Sequence, residues 1–257
     1  MALHRLSRTE LLIGAQGLAQ LHSKHVMICG IGGVGSYAAE ALGRAGIGRI
    51  TLVDFDDICL TNINRQLHAL TSTVGLPKVE VMAARLREIN PLAEIVPVKA
   101  FFSGENAVQL LDPRPDYVLD AIDHFTAKAA LITTCIEKGI PVISSMGAAN
   151  KLDPTKIHVA DISATRNCRM ARSMRKMLRK VGISSGVQVV YSSEEHRELN
   201  PSASFCGTEC ICPNRDQQVF SCDNRRVILG TISYLPSLFG LTMAGVVTNE
   251  LLRPSSH

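Results

Sequence analysis

No tryptophan occurs in the 257 residues, and aromatics reach only 4%. No charged-then-apolar leader with a small-residue cleavage site opens the chain. Its first residues, "MALHRLSRTELL", are too polar for a secretory signal, so a cytoplasmic protein is expected. The 8 cysteines then read as thiols, metal ligands or redox groups rather than structural disulfides. A strong excess of one charge is also missing. With 27 Lys+Arg against 23 Asp+Glu the net charge is +4, so any nucleic-acid surface must come from local clustering. There is no internal repeat and no low-complexity linker. Apolar residues are plentiful at 46%, enough for a substantial core in one large α/β domain, or one domain with an elaborated C-terminal part.

The first half alternates strand-like and helix-like segments. "HVMIC" and "RITLVD" read as strands around a helix from Val34 to Arg44. "GLPKVEVMAARLREIN" has Pro77 near its start and Val79, Met82, Ala83 and Leu86 at helical spacing. "EIVPV", "YVLDAID" and "IPVISS" are further strands, with the helix "AKAALITTCIEKG" ending at Gly139. Such alternation predicts a doubly wound, mostly parallel α/β sheet of Rossmann-like form. After Lys151 the pattern becomes less regular and rich in basic residues and cysteine, so 151–257 reads as an elaboration of a single domain spanning 1–257.

Ligands of such sheets sit at the carboxyl ends of strands, where Gly30 to Gly35, Asp54 and Asp123 fall. Gly30, Gly32 and Gly35 satisfy G-x-G-x-x-G, with Gly33 between them, and Asp54 stands about 20 residues on. Both NAD and ATP carry a ribose and phosphates, so the loop alone leaves the two open. The next residues discriminate. A dehydrogenase has no need of Asn62, Asn64, Arg65 and Gln66 directly after the ribose-binding strand, nor of Lys78 beyond them. An enzyme that cleaves a triphosphate does. Arg65 offers a planar fork and Lys78 a point charge for phosphate, and Asp123 is a hard oxygen ligand suited to Mg²⁺.

"GIGGVGS", "LVDFDDICLTNINRQ", "VGLPKVE" and "LDAIDHFTAK" resemble, in order and spacing, motifs of the ubiquitin-activating-enzyme-like adenylyltransferases. The resemblance covers Arg5 to Ala148. It implies that ATP sits on the glycine loop and that a carboxylate attacks its α-phosphate, giving an acyl-adenylate and pyrophosphate. Carried over by position, Gly33 and its loop touch phosphate and Asp54 binds ribose. Asn62, Arg65 and Lys78 hold the phosphates, and Asp123 coordinates Mg²⁺. Asp56 and His124 lie in the same motifs and are placed with the nucleotide. Arg8, in "RLSRTELLIGAQG", matches an arginine that reaches into the partner subunit's ATP site, which implies a homodimer.

Within that superfamily the chain looks most like the tRNA threonylcarbamoyladenosine dehydratases. These activate the threonyl carboxylate of a modified adenosine beside the anticodon, and the neighbouring carbamoyl group closes onto it with release of AMP. The second step is intramolecular, so proximity supplies the nucleophile. The segment from Ser144 to Thr165 looks like that family's, and no rhodanese-like or ubiquitin-fold domain follows. "ATRNCRMARSMRKMLRKVGI" places Arg166, Arg169, Arg172, Arg175, Lys176, Arg179 and Lys180 in one expected helix with few nearby acids. Such a face can neutralise RNA phosphates and release counterions; the bland alternative is a solvated face.

"FCGTECICPNRDQQVFSC" supplies Cys206, Cys210, Cys212 and Cys222, the ligand count for tetrahedral zinc or an iron–sulfur cluster. Redox or sulfur-relay thiols, or unliganded cysteines, are the alternatives. Cys29, Cys59, Cys135 and Cys168 read as packing residues. The apolar stretch from Val227 to Val247 has the length of a membrane span. Pro236 and several Gly, Ser and Thr favour a buried helix at a subunit contact instead, with no stable membrane insertion. Two other functions compete: adenylation of the C-terminal glycine of a small sulfur-carrier protein, and a nucleotide-dependent scaffold for a cysteine-desulfurase pathway with a sulfur-acceptor partner. Arg65, Lys78 and Asp123 argue against the scaffold. The basic helix and the absence of paired zinc cysteines argue against the carrier-protein enzyme.

Overall fold

A computed structural model describes residues 3–199 and 229–253. Their elements run α1 (Ser7–His22), β1 (His25–Cys29), α2 (Gly35–Ala45), β2 (Arg49–Val53), α3 (Lys78–Ile89), β3 (Glu94–Val98) and α4 (Ala107–Leu110). There follow β4 (Tyr117–Asp120), α5 (Phe125–Glu137), β5 (Val142–Ser145), β6 (Ile157–Asp161), α6 (Arg169–Arg179), β7 (Gln188–Ser192) and α7 (Tyr234–Leu251). The seven strands form one sheet in the order β3-β2-β1-β4-β5-β7-β6. All neighbours are parallel except β6, which runs antiparallel to β7 at the edge. The doubly wound α/β reading is therefore the observed one.

Local chemistry explains the strands and helices that matter for the site. All five residues of β1 are buried, as a strand covered on both faces requires. The order of strands reverses beside β1, with β2 on one side and β4 on the other, which opens a crevice at their carboxyl ends. Proline at position 77 precedes the first residue of α3, where its missing N–H costs nothing, and Val79, Met82, Ala83 and Leu86 are buried as their spacing predicted. α2 ends at Gly46, whose left-handed backbone caps it.

The region after Lys151 is more regular than its composition indicated. β7 inserts between β5 and β6, so this region completes the main sheet. The apolar stretch near the C-terminus forms α7, with Pro236 in its first turn as expected. Its burial is accounted for within the chain. Leu235, Phe239, Met243, Ala244 and Val247 join one core cluster with Ala38, Ala39 and Leu42 of α2. Gly240 allows this contact, because a Cβ there would overlap the Val34 carbonyl oxygen. Among the described residues no helix is long and apolar enough to cross a membrane. Cys29, Cys135 and Cys168 are buried and Cys59 is half-buried.

Candidate functional site

The loops after β1, β2 and β4 meet at one end of the sheet. After Cys29 the chain turns at Gly30, which has a φ of +88°. A Cβ on Gly30 would come within 2.7 Å of the Ala121 carbonyl and 2.9 Å of the Ile122 nitrogen, so only glycine lets the two loops touch. At Gly35 a Cβ would overlap the Gly30 carbonyl oxygen. Gly33 lies beneath Arg65, whose Cγ would be 3.2 Å from a Cβ at that position, and Pro236 of α7 flanks it at 3.1 Å. Gly32 faces Gln66. The loop is thus bare backbone at the mouth of α2, a form that suits an anion held by peptide N–H groups.

A buried acid–base cluster stands behind the loop. Asp54, one residue past β2, accepts from the Ile31 N–H at 2.6 Å through Oδ2 and from the Asp56 N–H at 2.8 Å through Oδ1. It thereby fixes the glycine loop to β2. Burial raises its pKa, against the pull of Lys78. Lys78 is itself buried, and its Nζ donates to Asp56 Oδ2 at 2.6 Å and lies 3.9 Å from Asp54 Oδ1. Burial alone would lower the Lys78 pKa, but the two carboxylates outweigh it, so the ammonium is retained. Lys78 also senses the negative charge of Asp123. The expected phosphate-binding lysine is therefore held as a fixed charge between Asp54, Asp56 and Asp123.

Asn62 ends a short 3₁₀ turn, Leu60–Asn62, and Arg65 lies in the turn directly after it. Asn62 Oδ1 accepts from the Cys59 N–H at 3.0 Å and orders that turn. Arg65 Nη1 donates to the Thr61 carbonyl at 3.0 Å and to Asn64 Oδ1 at 2.8 Å, which orients the guanidinium, while the Arg65 Cγ and carbonyl oxygen lie against Gly33. Asn64 in turn donates to the Thr231 carbonyl at 3.2 Å, tying this loop to the segment that enters α7. Asp123 is exposed on the loop after β4, and the His124 Nδ1 caps α5 by accepting from Ala127.

The structure adds Phe55 and Phe101, which join the expected His124, and also His68. Phe55, Phe101 and His124 follow β2, β3 and β4 and meet edge to face, with centroids 5.2 and 5.5 Å apart, forming an aromatic wall beside the cluster. His68, 2% exposed, lies near Lys78 with neither ring nitrogen hydrogen-bonded. Burial, reinforced by Lys78, lowers its pKa to about 3.

The remaining expected residues lie apart. Arg8 is exposed in the first turn of α1, whose Leu11 and Leu12 are also turned to solvent. α6 carries Arg169, Arg172, Lys176 and Arg179 exposed, with Lys180 at its end, above the buried Ala171, Met174 and Leu178. Two assignments change. Arg166 is not helical: it precedes Asn167, whose φ is +53°, and the cap residue Cys168. Arg175 is half-buried and folds back, donating to the Ile162 carbonyl at 3.3 Å, the Thr165 carbonyl at 3.1 Å and the Thr165 hydroxyl. It anchors the helix rather than standing out as a surface charge. A depression of about 610 Å³ is lined by Arg172, Arg175, Lys176, Arg179 and Lys180. Cys206, Cys210, Cys212 and Cys222 lie outside the described residues; among the described residues no group of three or more His, Cys, Asp or Glu could hold a metal ion.

The ThiF family model matches residues 6–255. A tRNA threonylcarbamoyladenosine dehydratase of Bacillus subtilis is 45% identical over 98% of this chain and 96% of its own length. The chain belongs to the ThiF family, and within it to the tRNA threonylcarbamoyladenosine dehydratases. A crystal structure of the Escherichia coli tRNA N6-threonylcarbamoyladenosine dehydratase TcdA in complex with ATP is 35% identical. Its TM-score is 0.83, over 96% of this chain and 93% of that one. The Escherichia coli molybdopterin-synthase adenylyltransferase is 36% identical, but over 53% of this chain and 54% of its own. The dehydratase likeness extends through the region that carries α6, whereas the carrier-protein enzyme matches only about half of the chain.

Proposed function

We propose that this protein is an ATP-dependent tRNA threonylcarbamoyladenosine dehydratase. It activates the threonyl carboxylate of the modified adenosine as an acyl-adenylate and closes the ring. The observation that carries this reading is the convergence of the glycine loop, Arg65, Lys78 and Asp123 at one end of the sheet. The extent of the dehydratase likeness supports the choice of substrate.

On this reading the triphosphate lies on the peptide N–H groups of Gly32 to Gly35, with Asp54 and Asp56 at its ribose end. Asn62 and Arg65 face the phosphates from across the loop. The Lys78 ammonium is kept charged and rigid by Asp54 and Asp56, so it meets developing charge with little reorganisation. The donor set suits Mg²⁺: Asp123 is an exposed hard carboxylate, leaving further positions to phosphate oxygens and water. Bound there, the ion would neutralise phosphate charge. A substrate carboxylate oxygen attacks the α-phosphorus and the bond to the β-phosphate oxygen breaks, releasing pyrophosphate. The carbamoyl group then attacks the activated carbonyl carbon and expels AMP; both groups belong to one modified base, so closure needs no acceptor thiol. Phe55, Phe101 and His124 offer an aromatic surface to a base. The exposed cations of α6 bind tRNA phosphates, and α6 packs on α5, the helix that starts beside His124. Arg8 completes the site of a second copy in a homodimer, a reading supported by the exposed Leu11 and Leu12 on the same helix.

Arg65→Ala tests the site. It should fold normally and bind tRNA, and AMP formation should fall by roughly 10²–10³, the usual effect of deleting one preorganised transition-state donor. Wild-type turnover would remove Arg65 from the mechanism.

A further inference from the structure

Asp120 and Lys128 are both fully buried, at 0% exposure, directly beneath the loop after β4. Neither belongs to the residues assigned above. Lys128 Nζ donates to Asp120 Oδ2 at 2.9 Å, and the Ser144 hydroxyl of β5 donates to the same oxygen at 2.6 Å. The other bonds of the pair leave the core and converge on one residue. Asp120 Oδ1 accepts from the Ile122 N–H at 3.1 Å, and Lys128 Nζ donates to the Ile122 carbonyl at 2.9 Å. Both polar groups of Ile122 are thereby held by a charge that cannot move without unpairing its partner. Asp123 is the next residue.

Desolvating two charges gains little stability over an apolar pair of the same shape, so stability alone does not account for an ion pair here. Its geometry has a different consequence. The Gly30 backbone packs on the Ala121–Ile122 peptide, and the Ala121 N–H donates to the Cys29 carbonyl at 2.8 Å. The same short stretch therefore joins the glycine loop to Asp123.

We infer that Asp120, Lys128 and Ser144 are positioning residues that hold the Ile122 peptide groups, and through them the Asp123 carboxylate, in the orientation that receives Mg²⁺ with ATP. This rests on Asp123 as the Mg²⁺ ligand of the proposed function. The three touch no substrate. They act as the outer shell of a metal ligand does, where loss of support costs about 10–100-fold in metal affinity or activity.

The test is ATP affinity by calorimetry on the full chain, with Mg²⁺ and with a chelator, for wild type, Asp123→Ala, Ser144→Ala, Ser144→Thr and the charge-neutral pair Asp120→Asn/Lys128→Gln. The pair should lose about tenfold or more of the Mg²⁺-linked tightening, with its chelator affinity unchanged. Its kcat should fall while its KM for tRNA stays near wild type. Ser144→Ala should show a smaller change of the same kind, and Ser144→Thr should restore it. If Asp123→Ala loses the linkage while folded Ser144→Ala and the pair keep wild-type linkage and kcat, the inference is overturned and the site reading stands. If Asp123→Ala itself keeps the linkage, the site reading fails first. Should the pair not fold, Ser144→Ala, which removes one hydroxyl and no charge, decides alone.

Discussion

Replacing Arg172, Lys176 and Arg179 with glutamine removes three exposed charges from α6 and leaves its buried residues untouched. Arg175 stays, because its bonds to Ile162 and Thr165 hold the helix in place. Each phosphate contact contributes about 0.7–0.9 to the log–log salt dependence of binding, so three contacts account for a slope of about 2–3. Between about 50 and 200 mM salt, a slope difference of 2 makes the wild type lose about 16-fold more affinity than the variant. The apparent KM for tRNA should rise without a comparable fall in the saturated rate, and ATP affinity should stay unchanged. Arg175→Gln should behave in the opposite way, lowering stability by about 1–2 kcal/mol through its lost hydrogen bonds while changing the salt slope least. The assay is tRNA binding across a salt series, with thermal unfolding alongside. Equal slopes and affinities for wild type and triple variant would mark α6 as a solvated face and reopen the carrier-protein reading.

Two further predictions concern stability. Gly240→Ala forces a methyl group into the Val34 carbonyl at the contact of α7 with α2 and should cost about 1–3 kcal/mol, seen as a Tm lowered by several degrees. His68 has a folded pKa of about 3, below its unfolded value near 6.5, so its contribution to stability is complete above pH 6.5 and is lost as the pH falls toward 3. Denaturant titrations from pH 7 to 4 should show His68→Gln with a shallower loss of stability than wild type; parallel curves would contradict the buried neutral ring.

Much of this architecture is legible in the primary structure because parallel, doubly covered strands are apolar runs. "HVMIC", "ITLV" and "YVLD" announce themselves, and glycine and proline mark the turns between them. β7 was hidden because its five residues sit among serines and glycine in "SSGVQVVYSS", and β6 because an edge strand buries only part of its surface. The aromatic wall could not be seen, since Phe55, Phe101 and His124 are brought together only by the order of strands. A count of charges likewise does not show which one folds back. Arg175 resembled its neighbours, and Lys128 stood in an ordinary helical run, yet the first anchors a helix and the second is fully buried.

The central claim is the choice of carboxylate, and AMP release measures it most directly. Purified protein with ATP and Mg²⁺ should release AMP and pyrophosphate in step with loss of one water from tRNA carrying threonylcarbamoyladenosine, and release none above background with unmodified tRNA or a sulfur-carrier protein ending in glycine. AMP release driven by the carrier protein, with modified tRNA left unchanged, would contradict the account.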